Sequence, residues 1–355
     1  MTSLEDLPIR KDLRGLKPYG APQLDVPVQL NVNENTHGIP ENVALSIVQR
    51  VAAATISLNR YPDREFLELR AKLGKFLGGL PPEQIWAANG SNEILQQFFM
   101  AFGGPERKAL SFGPTYSMYP ILARGAFAHY KELRRGNDFG LKAAEVAQAI
   151  RDYKPDIVLL CNPNNPSGNS FDLDVVEAAY GAFDGMLLVD EAYQEFSSRP
   201  SSLSLLQGRP RLVVSRTMSK AFAFAGARLG YMAADPAVVD AMRLVRLPYH
   251  LSALTQAAAI AAIEHAEQLL GSVEQIKVQR DRIANAVTSF GLKAHPSDAN
   301  FVLVSGFTNP NAVFEKLLER GVIVRNVGIE NSLRITAGTE QETTKLLAEL
   351  ALVLD

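Results

Sequence analysis

The chain has 355 residues, enough for roughly two domains, and its 47 % hydrophobic content supplies ample apolar side chains for a core. Its 36 basic and 38 acidic residues leave a net charge of −2, which argues against a broad nucleic-acid surface or a polybasic membrane contact. Cys161 is the single cysteine, and the sequence shows no secretory signal and no apolar run near the ~20 residues of a membrane span, so we expect a cytoplasmic protein.

The first two thirds of the chain predict an arm followed by an α/β domain. Residues 1–30 are rich in proline, glycine and charge, which indicates an irregular N-terminal arm. Over 31–248, strand-sized apolar runs alternate with helical patterns. Continuously apolar runs are typical of strands covered on both faces, so we expect a large domain with a mostly parallel sheet flanked by helices. The clearest runs are 84–88, 156–160, 186–189 and 212–215.

Residues 249–355 predict a linking helix and a smaller α+β domain. The alanine-rich segment 252–289 suits one long or kinked helix that bridges the two domains. Short strand patterns at 300–304, 322–325 and 332–336 then alternate with helical ones.

Four polar segments follow strand patterns, and open α/β sheets bind ligands beyond the carboxyl ends of their strands. In the first segment Gly90 permits a tight turn, and Ser91 and Asn92 open a helix. Free amides and the positive end of the helix dipole at that point make a seat for a phosphate. The same residue types are favoured helix caps, so a structural role remains open for this segment.

The second and third segments offer groups that could be held toward a ligand. The run 162–168 reads Asn-Pro-Asn-Asn-Pro-Ser-Gly and fixes a turn from which asparagine side chains project, although taken alone such a run is more often an ordinary surface turn. Asp190 closes a buried apolar strand and needs a partner, because an unpaired buried carboxylate is costly. A structural salt bridge or a helix cap would also satisfy it. Tyr193 would lie on the same face as Asp190 if a helical turn begins at Asp190.

The fourth segment contains Lys220. This lysine lies between an apolar strand and a stretch of alanine, phenylalanine and glycine, with no carboxylate nearby in the sequence. Such surroundings lower the pKa of a lysine and make its amine a usable nucleophile, although most lysines are simply solvated. Ser219 and Arg228 are placed to face an anion.

Together these motifs resemble the fold-type I family of pyridoxal-phosphate enzymes, and within it the class II histidinol-phosphate aminotransferases. The resemblance covers essentially the whole chain. The fold-type I resemblance is carried by Gly-Ser-Asn at 90–92, the asparagine-proline run at 162–168, Asp-Glu-Ala-Tyr at 190–193, Ser-Lys at 219–220, and Arg228 eight residues later. The resemblance to the histidinol-phosphate aminotransferases is carried further by Asn-Val-Asn-Glu-Asn at 31–35, Asn-Arg-Tyr-Pro-Asp at 59–63, Asn-Phe at 300–301 and Leu-Arg-Ile-Thr at 333–336.

The resemblance implies a cofactor, pyridoxal 5'-phosphate, and a role for each matching residue. Lys220 would form a Schiff base with the cofactor aldehyde and later act as general base, and Asp190 would pair with the pyridinium nitrogen. Tyr193 would act with Asn165 on the ring oxygen. Tyr61 would reach the cofactor phosphate from the neighbouring subunit of a homodimer. The implied cofactor-binding set is Tyr61, Gly90, Ser91, Asn92, Tyr116 (stacked on the ring), Asn165, Asp190, Tyr193, Thr217, Ser219, Lys220 and Arg228.

The resemblance also implies a substrate pair, L-histidinol phosphate and 2-oxoglutarate, within histidine biosynthesis. Arg334 would bind the substrate anion, since a guanidinium forks onto carboxylate or phosphate, and Arg325 would assist. Tyr19, Asn92 and Tyr249 are candidates for the imidazole pocket, with ordinary packing as the equal alternative. No metal, nucleic acid or membrane partner is expected.

Three other functions fit parts of the pattern. An aromatic amino-acid aminotransferase acts on substrates of the same ring-plus-anion shape. A phosphate-substrate decarboxylase of the same fold would keep the roles of Lys220 and Asp190 but release carbon dioxide. A regulatory module without turnover would carry a DNA-binding region, and the sequence shows no helix-turn-helix pattern ahead of the sheet.

Overall fold

A computed structural model describes residues 2–20 and 22–354 and confirms the expected α/β class. The strands are β1 (Val28–Gln29), β2 (Ile85–Ala88), β3 (Lys108–Gly113), β4 (His129–Arg134), β5 (Ile157–Cys161), β6 (Met186–Asp190), β7 (Leu212–Thr217), β8 (Gly230–Ala234), β9 (Lys293–Ala294), β10 (Phe301–Ser305), β11 (Val322–Ile323) and β12 (Ser332–Thr336). The α-helices are α1 (Glu41–Thr55), α2 (Leu67–Phe76), α3 (Ser91–Phe102), α4 (Met118–Gly125), α5 (Ala143–Tyr153), α6 (Leu173–Gly181), α7 (Pro236–Val245), α8 (Ala253–Glu264), α9 (Ala266–Leu270), α10 (Ser272–Ser289), α11 (Pro310–Glu319) and α12 (Glu340–Leu354).

A seven-stranded sheet in the order β2-β8-β7-β6-β5-β3-β4 forms the centre of the molecule. Strand β8 is antiparallel to both of its neighbours, and the other adjacent pairs are parallel. The inner strands β5 and β7 are buried along their whole length, as their continuous apolarity predicted. Because β2, β3, β5, β6 and β7 run in the same direction, the segments that follow them meet at one edge of the sheet.

The C-terminal part forms a second layer around the antiparallel sheet β12-β10-β9. The alanine-rich segment is the kinked form of the predicted helix, broken at His265 and Gly271 into α8, α9 and α10. Helix α8 is buried on nearly every side and packs on α1 and α2, whereas α10 packs on β9 and β10. The segment therefore contacts both layers.

Residues 2–20 and 22–27 are mostly irregular, with 3-10 turns at Leu4–Asp6 and Lys11–Leu13. The irregular arm was expected to extend to residue 30, but Val28–Gln29 forms a strand that pairs in parallel with β11 of the C-terminal layer. The backbone hydrogen bonds of β1 are therefore made with a segment far away in sequence, and local sequence patterns do not reveal such a partner. Within residues 2–20 and 22–354, the helices lack the length and apolarity needed to cross a membrane.

Candidate active site

A cleft of about 1120 Å³ opens at the carboxyl edge of the central sheet, between that sheet, the N-terminal region and the C-terminal layer. Segments distant in sequence converge there. The predicted site residues that line it are Tyr19, Ser91, Asn92, Tyr116, Asn165, Asp190, Tyr193, Thr217, Ser219, Lys220, Arg228, Arg325 and Arg334.

Asp190 is the last residue of β6 and is 2 % exposed. Its carboxylate accepts hydrogen bonds from the Tyr119 hydroxyl at 3.1 Å and the Ser215 hydroxyl at 3.3 Å. Burial raises the pKa of Asp190 to about 6, although these two bonds act in the opposite direction. A buried carboxylate held by neutral donors is well suited to pair with a cation on a ligand.

Lys220 follows β7, and its Nζ donates to the carbonyl of Val32 at 2.9 Å. Burial, with smaller contributions from Arg334 and Arg228, lowers the pKa of Lys220 to about 8. No carboxylate lies near Lys220 in the sequence, but in the fold Glu34 lines the same cleft and acts to raise the pKa of Lys220. Because burial outweighs the effect of Glu34, part of the Lys220 amine is neutral near pH 7.

A linked polar cluster lies beside the N-terminus of α3. The Thr217 hydroxyl donates to Ser219 Oγ at 3.0 Å, and Arg228 Nη1 lies 3.4 Å from the same oxygen. Gly90 stands before the first residue of α3 with φ of +86°, and a Cβ there would overlap the Arg228 guanidinium. The cluster and the helix terminus therefore share one position, where an anion would meet a cation, hydroxyls and free amides.

Two further polar side chains lie between Asp190 and the C-terminal layer. The Tyr193 hydroxyl accepts from Asn33 Nδ2 at 3.0 Å and from Asn165 Nδ2 at 3.4 Å. The 3-10 helix of this segment spans Gln194–Phe196 and begins only after Tyr193, so the helical turn from Asp190 on which the predicted shared face depends does not form. The ring of Tyr116, whose hydroxyl donates to Asn92 Oδ1 at 2.8 Å, supplies an aromatic wall.

Arg334 on β12 is the buried cation of the C-terminal layer. Its Nη1 donates to Asn165 Oδ1 and its Nη2 to the carbonyl of Asn31, each at 2.7 Å. Its Nε is buried without a hydrogen-bond partner among the described residues. Arg325 pairs with Arg334 through the backbone and also lines the cleft. A donor atom left over in a buried guanidinium suits an anionic ligand.

Tyr61 and Tyr249 lie outside this cleft. Their rings stack on each other with centroids 4.3 Å apart, and Tyr61 is 79 % exposed. Their predicted roles toward the cofactor phosphate and the imidazole remain predictions. Tyr19 lines the cleft but is half exposed.

Sequence reasoning missed Tyr119, Asn33 and Glu34 as contacts of the site. A usable signal existed for Tyr119, since it lies three residues after Tyr116 at the start of a helical pattern, where both side chains share a face. Asn33 and Glu34 are brought in by the pairing of the N-terminal region with the C-terminal layer. They lie in the run Asn-Val-Asn-Glu-Asn at 31–35, which is part of the resemblance but carries no implied role at the site.

Comparison with known proteins places this geometry among aminotransferases. The family model "Aminotransferase class I and II" matches residues 26–350. The chain is 59 % identical to the histidinol-phosphate aminotransferase of Paenarthrobacter aurescens, over 99 % of this chain and 96 % of the relative. It is 50 % identical to that of Mycolicibacterium vanbaalenii, over 98 % and 96 %. The crystal structure of the Sinorhizobium meliloti histidinol-phosphate aminotransferase in complex with pyridoxal-5'-phosphate superimposes with a TM-score of 0.84 at 26 % identity, covering 93 % of this chain and 91 % of the other.

Proposed function

The chain belongs to the class I and II aminotransferase family, and from that premise we propose that it transfers the amino group of L-histidinol phosphate to 2-oxoglutarate. The products are imidazole acetol phosphate and glutamate, and the reaction is a step of histidine biosynthesis. The observation that carries the assignment is 59 % identity to a histidinol-phosphate aminotransferase over 99 % of the chain, with the reactive residues of the motifs assembled in one cleft.

The cofactor is pyridoxal 5'-phosphate, and the donor set fits each part of it. Asp190 offers a buried carboxylate to the ring nitrogen, and Tyr193 with Asn165 offers hydrogen bonds to the ring oxygen. The phosphate suits the polar cluster of Thr217, Ser219 and Arg228, together with the backbone amides at Ser91 and Asn92. When bound, the cofactor supplies the electron sink for negative charge that develops at substrate Cα.

Lys220 contributes the reactive amine. With a pKa near 8, about a tenth of its amine is neutral at pH 7, against about three in ten thousand for a lysine at the ordinary value of 10.5. The neutral amine would hold the cofactor, and an incoming substrate amine would displace it and free Lys220 Nζ. The freed Nζ would then take the proton from substrate Cα and deliver it to the cofactor carbon that carried the aldehyde. Asp190 would present its negative charge to the ring nitrogen.

Arg334 gives one site that serves two anions. The donor atoms that Asn165 and Asn31 leave unused can bind the phosphate of histidinol phosphate in one half-reaction and a carboxylate of 2-oxoglutarate in the other. Arg325, joined to Arg334 through the backbone, adds positive charge at the same end of the cleft. Tyr19 and Asn92, which line the cleft, and Tyr249, which lies outside it in the single chain, complete the proposal as contacts of the imidazole ring.

The other candidate functions are not favoured. The relatives at 50–59 % identity are named histidinol-phosphate aminotransferases. An L-threonine-O-3-phosphate decarboxylase from Porphyromonas gingivalis superimposes well, but at 21 % identity it shows a shared fold alone.

A substrate panel tests the proposed reaction. The purified enzyme with 2-oxoglutarate is offered histidinol phosphate, phenylalanine and threonine phosphate in turn, while glutamate and carbon dioxide are measured. We expect glutamate from histidinol phosphate, with the largest kcat/KM of the three. A preference for phenylalanine would overturn the substrate assignment, and release of carbon dioxide would overturn the transferase class.

We also propose that the enzyme acts as a homodimer in the cytoplasm, where 2-oxoglutarate and free amino acids are available. Large apolar side chains close in sequence to Tyr61 and Tyr249 are exposed, including Ile56 at 85 % and Leu247 at 75 % exposure. A second copy of the chain would cover these side chains and bring Tyr61 to the cofactor phosphate of its partner. We likewise propose that the chain divides into an arm (1–30), a large domain (31–248), and a linking helix with a small C-terminal domain (249–355).

A further inference from the structure

Tyr119 is a fully buried phenol on α4 that the reaction described above does not use. Its hydroxyl donates to Oδ2 of Asp190 at 3.1 Å. Burial, with the nearby charge of Asp190, raises the pKa of Tyr119 well above its ordinary value. The phenol therefore keeps its proton at neutral pH and remains a donor.

The two carboxylate oxygens of Asp190 are held by different elements of the fold. Tyr119 on α4 donates to Oδ2, and Ser215 on β7 donates to Oδ1 at 3.3 Å. Burial alone would favour the protonated acid, and both hydroxyls favour the ionised form against that tendency. Since each oxygen has its own donor, the plane of the carboxylate is set as well as its charge.

Tyr119 also contacts the aromatic wall of the cleft. Its ring meets that of Tyr116 edge to face, with centroids 5.5 Å apart and planes at 89°. Tyr116 in turn donates to Asn92 at the start of α3. Tyr119 therefore contacts both Asp190, the proposed partner of the ring nitrogen, and Tyr116, the residue proposed to stack on the ring.

We propose that Tyr119 is a positioning residue that keeps Asp190 ionised and oriented toward the ring nitrogen of the cofactor. It acts through Asp190 and does not itself touch the substrate. The inference deepens the proposed function and rests on it for the identity of the cofactor.

Other titratable groups also face Asp190 and belong in the interpretation of any pH effect. Phenols approach from α4 and its preceding turn, a thiol from β5, and a carboxylate and a phenol from the segment after β6. These groups are Tyr116, Tyr119, Cys161, Glu191 and Tyr193. Burial raises the pKa of Cys161 to about 12, so its thiol stays neutral. Of these groups, Tyr119 is the one whose side chain donates a hydrogen bond to the Asp190 carboxylate.

The experiment compares two ligands on the apoenzyme, with no amino substrate present. One is pyridoxal 5'-phosphate, and the other is the analogue in which a C–H group replaces the ring nitrogen. Dissociation constants are measured by quenching of Trp86, the one tryptophan of the chain. Tyr119→Phe preserves the ring packing and removes the donor.

We expect Tyr119→Phe to weaken binding of pyridoxal 5'-phosphate about tenfold, the loss typical of a hydrogen bond to a charged group. Binding of the analogue should change less than about twofold, because it has no ring nitrogen for Asp190 to meet. Equal weakening of both ligands would reveal a merely structural role and overturn the proposal. Unchanged binding of pyridoxal 5'-phosphate would overturn it too.

Two further variants sharpen the result. Ser215→Ala removes the donor to the other oxygen and should show the same selectivity with a smaller loss, since its bond is longer. Tyr130→Phe is the matched control, because it removes a phenol that bonds Ser111 and Glu132 at the outer strand β4. It should leave both dissociation constants unchanged. As no amino substrate enters the measurement, its outcome is independent of which amine the enzyme accepts.

Discussion

At the residue scale, Asp190 and Lys220 illustrate how one buried site perturbs an acid and a base in opposite directions. Burial disfavours the charged form of each, so it raises the pKa of Asp190 to about 6 and lowers that of Lys220 to about 8. The shift at Lys220 makes its amine available for covalent attachment and proton transfer, whereas the shift at Asp190 opposes the ionised form that its role requires. In the apoenzyme these shifts cost folding free energy.

The raised pKa of Asp190 predicts that this residue lowers the stability of the apoenzyme although activity requires it. Below the ordinary pKa of 3.8 the carboxyl is protonated in both states, and between 3.8 and about 6 the unfolded chain ionises while the folded one keeps its proton. Ionised Asp190 therefore destabilises the apoenzyme by about 3 kcal/mol above pH 6.

We accordingly expect Asp190→Asn to stabilise the apoenzyme at pH 7.5 by up to about 3 kcal/mol, and to have little effect near pH 4. The same variant should lose most of its turnover, since the ring nitrogen loses its anionic partner. Thermal and denaturant unfolding of the two apoenzymes across that pH range is the measurement. A variant less stable than the wild type at pH 7.5 would contradict the account.

At the scale of elements, the turn between β2 and α3 depends on a glycine. Gly90 has a φ of +86°, and a Cβ there would lie 3.0 Å from Cζ of Arg228. Gly90→Ala should therefore displace the guanidinium from the polar cluster and raise the dissociation constant of pyridoxal 5'-phosphate about tenfold.

Gly79→Ala is the matched control for this prediction. Its φ is +90°, so alanine is strained to a similar degree, but nothing lies within 4 Å of the added Cβ. Both variants should lose comparable thermal stability, and Gly90→Ala alone should bind the cofactor weakly in titrations of the apoenzyme. Equal cofactor affinity in the two variants would show that Arg228 does not hold the phosphate.

The sequence predicted the strands that carry reactive residues, because strands buried on both faces are continuously apolar. The runs ending near Leu160, Val189 and Ser215 became β5, β6 and β7, and their following segments meet at one edge. What local patterns did not reveal is contact between distant segments. Asn33 reaches Tyr193 and Thr336 because the N-terminal region pairs with the C-terminal layer.

The chemistry of the site was less predictable than its location. Lys220 was singled out for apolar neighbours in sequence, yet its pKa also depends on Arg334, more than 100 residues later, and on Glu34 near the start. Asp190 was expected to need a partner, but its donor Tyr119 belongs to a helix two strands away in the sheet. Such contacts arise from tertiary packing, on which composition and periodicity carry no information.

At the scale of the whole molecule, the proposed homodimer predicts that each active site draws on both subunits. Lys220→Ala and Tyr61→Ala each damage one contribution to a site. In a hybrid dimer, one site carries both changes and the other carries neither. Unfolding and reassociating an equal mixture should therefore restore about 25 % of wild-type activity.

Each variant treated alone in the same way is the control for that experiment. Activity of the mixture no greater than the average of the two controls would mean that Tyr61 acts within its own subunit or not at all. Analytical ultracentrifugation of the same samples checks that dimers have formed.

The most direct test of the whole account is to find the amine that holds the cofactor. The holoenzyme is reduced with borohydride, digested with trypsin and mapped by mass spectrometry. Because a modified lysine resists trypsin, we expect the reduced cofactor on a single peptide spanning residues 217–228, uncleaved after Lys220, and no such adduct in Lys220→Ala. Recovery of the adduct on a different lysine, or an unmodified Lys220 in fully reduced enzyme, would contradict the account.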